Sequence, residues 1–195
     1  MSDAFALSLP AGLHPAYDGR VSTPPSDEAL ARRASAGDTA AFEQLVLRHQ
    51  HKLYTLALRV TLNEADARDC VQEGLVSAWR AMPRFRRDAR FSTWMYRIVL
   101  RKAYDAIDKR RRTAEPVEAI EVVTSDASVE QRIDLERALE ALEPEFRAVA
   151  VACDVLGLPM DQAGELLGIP PGTVKSRLFR ARARLAAILE PEHSE

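Results

Sequence analysis

The sequence predicts an all-α protein made of two small helical domains joined by a flexible acidic linker. Three observations lead there. From Asp27 onward apolar residues recur at helical spacing over long stretches. Only eight of 195 residues are glycine and 6% are aromatic, while Ala, Leu, Arg and Glu abound and the 47% apolar content is ample for a core. The formal net charge of −2 hides strong segregation: Arg84–Arg112 holds eleven Arg or Lys against three Asp, Thr113–Glu145 ten acids against two Arg, and Gly172–Leu189 five cations and no acid. Two basic modules on an acidic strap follow from that pattern.

The expected divisions are a disordered tail over 1–26, rich in Pro, Gly and Ser, a first domain over 27–112, a linker over 113–131, a second domain over 132–190, and a short tail over 191–195. In the first domain a helix is predicted from Asp27 to Ala36, stopped at Gly37. A second runs from Asp38 to Thr61, with Phe42, Leu45, Val46, His49, Leu53, Leu56, Ala57 and Val60 on one stripe. His49 on that stripe reads as a packing residue.

Asn63 is placed to cap a third helix, Glu64 to Met82, with Asp66 three residues on. Its expected inner residues are Ala67, Val71, Leu75, Ala78, Trp79 and Met82; Asp66, Asp69, Gln72, Glu73 and Ser77 lie outside. Such acids usually form a solvated face, and here they also suit a docking surface. Pro83 ends this helix. The loop Arg84–Phe91, RFRRDARF, interleaves two Phe with four Arg. Ser92 is expected to cap a fourth helix, Thr93 to about Arg112, with Trp94, Ile98, Ala103 or Tyr104, and Ile107 inside and Arg97, Arg101, Lys102 and Lys109–Arg112 outside. Rings among cations are what a single-stranded nucleic acid needs, since bases stack on rings and cations follow the backbone. The same rings also serve as core anchors for a loop.

Residues 113–131 lose helical periodicity and read as linker. Two helices then follow, Arg132–Leu142 and Pro144–Leu156, with Ile133, Leu139, Leu142, Phe146, Val149, Ala150 and Cys153 as core candidates. Met160–Leu185 reads as a helix-turn-helix. Gly164 supplies a small residue where the two helices meet, Gly168 a positive φ, Pro170 and Pro171 a turn and first helical turn, and Thr173 or the preceding Gly a cap. On a helical wheel Val174, Leu178, Ala181 and Leu185 form the core stripe, and Ser176, Phe179, Arg180 and Ala183 lie opposite. Lys175 and Arg182 occupy one flank, Arg177 and Arg184 the other. A solvated face accounts for the cations but not for Phe179. Duplex DNA accounts for both: cations for phosphates, Ser and Arg for base edges, Phe for a thymine methyl.

Other classes fare worse. Cys70 and Cys153 lie in helical apolar patterns and read as two buried thiols; with four scattered His and no Cys/His cluster, neither a metal site nor a cofactor is expected. No catalytic residues are expected; Asp66 and Asp69 lack a third ligand for a nuclease centre. No run of 18 apolar residues spans a membrane and no secretion signal opens the chain, so a cytoplasmic location is expected.

Three segments of the chain together resemble the extracytoplasmic-function sigma factors, the small two-domain type within the sigma-70 family. They are GDTAAFEQLVLRHQHKLYTLALR, DARDCVQEGLVSAWRAMPRFRRDARFSTWMYRIVLRKAYDAIDKRRR and LEPEFRAVAVACDVLGLPMDQAGELLGIPPGTVKSRLFRARARLA, in that order. The resemblance covers about Asp27 to Leu189 and implies a non-enzymatic role in transcription initiation. It implies that residues 27–112 are the region 2 domain, which docks on core RNA polymerase and melts the −10 promoter element, and that residues 132–190 are the region 4 domain, which reads the −35 element as duplex. It implies docking on the β′ clamp through Asp66, Asp69, Gln72 and Glu73, with region 4 meeting the β flap. It implies −10 single-strand contacts at Phe85, Arg86, Arg87, Asp88, Phe91, Trp94, Arg97 and Arg101, where a flipped base is captured, and −35 contacts at Thr173, Lys175, Ser176, Arg177, Phe179 and Arg180. Control by an anti-sigma protein, often under stress, is typical of such factors, and no fused regulatory domain is expected after Glu195. Two positions depart from the pattern. Gly164 stands where Ala is usual, at a cost of up to about 1 kcal/mol in helix propensity, and Gly74 replaces an apolar residue. An ordinary helix-turn-helix regulator would explain 132–189 but not the basic–aromatic block at 84–112.

Overall fold

A computed structural model describes residues 24–86, 90–113 and 135–189. The tail, the linker, and Arg87 and Asp88 of the basic loop lie outside them. Regular structure among the described residues is all helical. Helix α1 is Asp27–Ser35, α2 Thr39–Thr61, α3 Glu64–Ala81 and α4 Phe91–Thr113, with a 3-10 turn at Met82–Arg84. A helical segment α5 over 135–140 follows, then α6 Pro144–Ala150 running into a π-helical turn Val151–Val155, then α7 Met160–Leu167 and α8 Pro171–Leu189.

Capping sets the starts. Ser26 accepts from the Ala29 amide at 3.2 Å, Asp38 from Ala41 at 3.0 Å and Asn63 from Asp66 at 2.9 Å, each satisfying a first-turn N–H. Asp38 is therefore a cap rather than the first helical residue. Helix α4 already runs at Phe91, so Ser92 lies within its first turn and not at its cap. Likewise α8 begins at Pro171, where a missing N–H costs nothing, and Thr173 sits inside it, its amide donating to Pro170 at 2.9 Å.

The α2 stripe is buried as expected, apart from half-buried Val46 and His49. The inner faces of α3 and α4 differ from expectation. On α3 the buried positions are Ala67, Cys70, Gly74 and Ala78, and Trp79 is 36% exposed. Gly74 explains the shift: a Cβ there would lie 2.7 Å from Val99 Cγ2, so the small residues mark where α4 crosses. On α4 the buried set is Phe91, Thr93, Met95, Tyr96, Val99, Leu100 and Ala103. Of the expected set only Ala103 is among them; Trp94, Ile98, Tyr104 and Ile107 are half-buried against the same core.

The second unit packs α6 against α8 and α7 against α8. Gly168 closes α7 at φ 68°, as the turn requires. Gly164 is tighter than a tolerated departure: a Cβ would stand 2.8 Å from the Ile169 carbonyl oxygen, so the turn itself excludes a side chain.

The two units share one core. Buried residues from Leu30 of α1 to Leu178 of α8 form a continuous cluster, and α4 packs on α7 and α2 on α6. Arg147, only 8% exposed, is the polar centre of this junction. It donates to the carbonyls of Leu139 (2.8 Å), Glu140 (3.3 Å) and Leu142 (2.9 Å), closing the end of α5, and to Val60 of α2 (2.9 Å). Nothing in the helical spacing singled it out.

Candidate nucleic-acid interface

Helix α8 presents its polar side as the wheel required. Val174 and Ala181 are fully buried and Leu178 nearly so, while Lys175, Ser176, Arg180 and Ala183 are exposed. Phe179 is 75% exposed, a large apolar ring that the fold leaves in water. An isolated exposed apolar residue needs no explanation in general. Here it is flanked on the sequence and in space by Lys175, Ser176 and Arg180, on a helix whose opposite side is fully occupied by packing. The remaining α8 cations are less available. Arg182 pairs with Asp154 and Arg184 with Glu143, and the Arg184 guanidinium lies 5.2 Å from the Phe146 ring centroid. Arg177 is half-buried and close to Tyr104 of α4. Arg177 thus sits toward the first unit, unlike its expected place in an open basic face. Thr173 is half-buried.

The second site surrounds the start of α4. Phe85, Phe91 and Trp94 form a compact aromatic group: Phe85 stands edge-on to Phe91 at 5.8 Å and tilted on Trp94 at 4.9 Å. Phe91 is 2% exposed and belongs to the core, so its ring is not available to a base; the expectation of direct contact fails there because α4 starts at that residue and turns the ring inward. Behind Phe91 sits His49, ring centroids 6.0 Å apart, with its Nε2 2.6 Å from Asp27. Burial works against the Asp27 carboxylate, yet hydrogen bonds from Arg48 and His49 hold its pKa below the ordinary value. Phe85 and Trp94 are half-buried, and Arg84, Arg86, Arg90, Arg97 and Arg101 are exposed around them. These are the ring and cation types that the loop pattern called for, supported from below by Phe91 and His49.

The third expected surface is only partly open. Asp66 is ion-paired with Arg110, which also donates to the Thr61 carbonyl at 3.4 Å, so Asp66 ties α3 to α4 rather than standing free for docking. Glu73 accepts from Lys102 at 2.9 Å, which lowers its pKa. Asp69 and Gln72 are exposed. Together with Cys70, Asp105, Lys109 and Arg110 the three acids line a cleft of about 230 Å³. On the α2 side of α3, unforeseen in the sequence, is an apolar groove of about 510 Å³. Phe42, Val46 and Leu75 line it, and Leu47, Val76 and Trp79 are exposed on it. The signal was present in Leu47, an apolar residue off the α2 core stripe. Among the described residues no cluster of His, Cys, Asp and Glu is fit to hold a metal ion, and no helix is long and apolar enough to cross a membrane.

Comparison with known proteins decides the family. Residues 45–113 match the model of sigma-70 region 2 and residues 127–185 that of sigma-70 region 4. The ECF RNA polymerase sigma factor SigM of Mycobacterium tuberculosis is 41% identical over 168 residues, covering 84% of this chain and 85% of the relative. The chain belongs to the ECF RNA polymerase sigma factors. The ECF sigma-E factor of Escherichia coli is 33% identical over 183 residues, covering 85% of this chain and 95% of its own. Among solved structures, CnrH in complex with the cytosolic domain of CnrY superposes with a TM-score of 0.69 at 30% identity, covering 85% of this chain and 98% of that one. The sigma factor RpoE of Bartonella quintana, in complex with the anti-sigma factor NepR, gives 0.69 at 25% identity, covering 78% and 98%. In this sigma factor the exposed α8 face falls within the region 4 match, and the loop, α4 and the groove on α3 within the region 2 match.

Proposed function

We propose that this sigma factor binds core RNA polymerase without itself being a catalyst, reads the −35 promoter element as duplex through α8, and stabilises the melted −10 strand at the start of α4. The exposure of Phe179 beside Lys175, Ser176 and Arg180, over a buried Val174–Leu178–Ala181 stripe, carries the reading. Arg180 and Ser176 are positioned for base edges, Lys175 for a phosphate, and Phe179 for a thymine methyl. At the −10 element, half-buried Phe85 and Trp94 offer ring surface for a base, with Arg86, Arg97 and Arg101 along the backbone path.

Polymerase docking falls to Asp69, Gln72 and Glu73 together with the apolar groove on the α2 side of the same helix, at Leu47, Val76 and Trp79. An exposed apolar patch with a polar rim is the usual form of a protein interface. Asp66 acts there as a brace. The neighbours seen with CnrY and NepR support control of this protein by a protein partner that competes for one of these surfaces, as expected for a factor acting in the cytoplasm.

The test is to mix the purified protein with bacterial core RNA polymerase and a genomic promoter library and to sequence the run-off transcripts. Discrete new start sites sharing an upstream motif are expected. Sequence-specific duplex binding without any core-dependent initiation refutes the proposal.

A further inference from the structure

The rings at the start of α4 form a chain of contacts that continues into the core. Phe85 and Trp94, both half-buried, each lean on Phe91, with ring centroids 5.8 and 5.7 Å away. Phe91 is 2% exposed, so whatever fixes its ring fixes the support of the other two. Phe91 also meets His49 of α2, centroids 6.0 Å apart and planes at 52°. The same imidazole stands edge-on to Tyr96 at 6.1 Å. Tyr96 is buried, and burial together with the Asp27 charge pushes its phenol up to about 12.

Ring contacts alone leave an imidazole broad freedom about its terminal torsion. Asp27 removes that freedom. Its carboxylate, held ionised by Arg48 and His49 against its burial, only accepts hydrogen bonds. The Nε2 of His49, 2.6 Å from Oδ2, is therefore the donor. Arg48 donates to the other oxygen at 2.9 Å and to the Pro25 carbonyl at 2.7 Å, so Asp27 is itself fixed. The His49 side chain is 12% exposed, and water competes little for a charge-assisted bond so placed. Asp27 opens α1, which also packs on the 3-10 turn that leads into Phe85. His49 falls within the region 2 match at 45–113, whereas Asp27 precedes it.

We propose that Asp27 and His49 are positioning residues for capture of the −10 base: the imidazole held by Asp27 sets the Phe91 ring, and through it the surface that Phe85 and Trp94 offer a flipped base. This rests on the assignment of Phe85 and Trp94 to the −10 strand. Neither Asp27 nor His49 touches the base. The pair removes alternative ring orientations before the strand arrives, so that binding does not bear the cost of ordering them.

The experiment uses holoenzyme assembled from bacterial core polymerase and the full-length chain. The DNA is a forked promoter whose −10 strand is already single, carrying the motif found by run-off sequencing. Each base of that motif is replaced in turn by an abasic site, and the affinity ratio of intact to abasic fork is measured. The captured base is the position at which Phe85→Ala and Trp94→Ala lose this ratio. At that position His49→Ala, Asp27→Ala and the double variant are each expected to lose at least about fivefold of the ratio. All three should lose the same factor, because two residues acting as one unit are not additive. Binding of the −35 duplex should stay at the wild-type level. A merely structural defect lowers binding to both forks alike and leaves the ratio where it was.

An unchanged ratio in the His49 and Asp27 variants, with the ratio lost in Trp94→Ala, overturns the proposal and leaves the −10 site standing. Losses that add in the double variant also overturn it, since the two residues then act separately. A ratio that neither Phe85→Ala nor Trp94→Ala changes at any position removes the −10 assignment and the proposal with it. Should His49→Ala fail to fold, seen by far-UV dichroism, His49→Gln takes its place: it keeps a donor for Asp27 but puts no ring against Phe91, and the same loss is expected.

Discussion

Replacing Arg147 by methionine should destabilise the protein more than any loss of a surface charge. Methionine keeps the apolar stem and removes all five donors. Four carbonyls lose their partner: Leu139, Glu140 and Leu142 at the end of α5, and Val60 of α2. Three of those bonds are buried; the Leu139 carbonyl keeps the Leu142 amide at 3.1 Å, while Val60 and Leu142 become buried acceptors without a donor, at about 1–3 kcal/mol each. Against that stands the desolvation of the guanidinium, several kcal/mol by general experience, which the variant no longer bears. That desolvation also lowers the arginine pKa from its ordinary value. The difference is a net loss of about 2 kcal/mol, or roughly 4–8 °C in Tm for a chain of this size. Urea unfolding followed by far-UV dichroism measures it as a shift in midpoint at unchanged slope. Arg147→Lys should lose about half as much, since one ammonium cannot span a fork of four carbonyls. A loss below about 1 kcal/mol for methionine would refute the idea that Arg147 is the polar centre of the junction.

Other expectations follow from the same geometry. Gly164→Ala gains about 1 kcal/mol of helix propensity but forces a Cβ to 2.8 Å from the Ile169 oxygen. With overpacking at about 1–3 kcal/mol, the variant should be net destabilised and bind −35 duplex less well; a stabilised variant shows that the turn can relax. Phe179→Ala should leave thermal stability unchanged, because the ring is 75% exposed, and weaken specific duplex binding by about 1–3 kcal/mol; an equal loss on unrelated DNA removes its base-reading role. The Cys70 thiol, raised to about 11 by burial and by nearby Glu73 and Asp69, should label with iodoacetamide at neutral pH only after unfolding; rapid labelling of the native protein contradicts the packing of α3 on α4. Because the folded pKa of Asp27 is depressed by Arg48 and His49 against its burial, its contribution to stability is complete above the ordinary carboxylate range and fades as pH falls through the folded value. Asp27→Asn should therefore flatten the acid limb of the stability profile, and an unchanged limb assigns acid sensitivity elsewhere.

The sequence alone determined the helices, their order and the orientation of α8. Those follow from local rules: period, caps, proline and glycine positions, and a recognition helix whose Val174–Leu178–Ala181 stripe leaves one direction for Phe179. It also pointed to the loop and α4 as a basic–aromatic site. The tertiary structure decided which of those side chains are available. Phe91 turned inward, Asp66 was taken by Arg110, and Arg182 and Arg184 by Asp154 and Glu143. Helical periodicity reports that a residue faces something apolar, not which neighbour it faces. Of the expected α4 stripe, Trp94, Ile98, Tyr104 and Ile107 are only half-buried, while the fully buried residues are, Ala103 apart, a different set. The contacts Arg59–Glu136 and Arg147–Val60 join residues 77 and 87 positions apart. No local pattern encodes such pairs; they exist only because both units fold and then share a core.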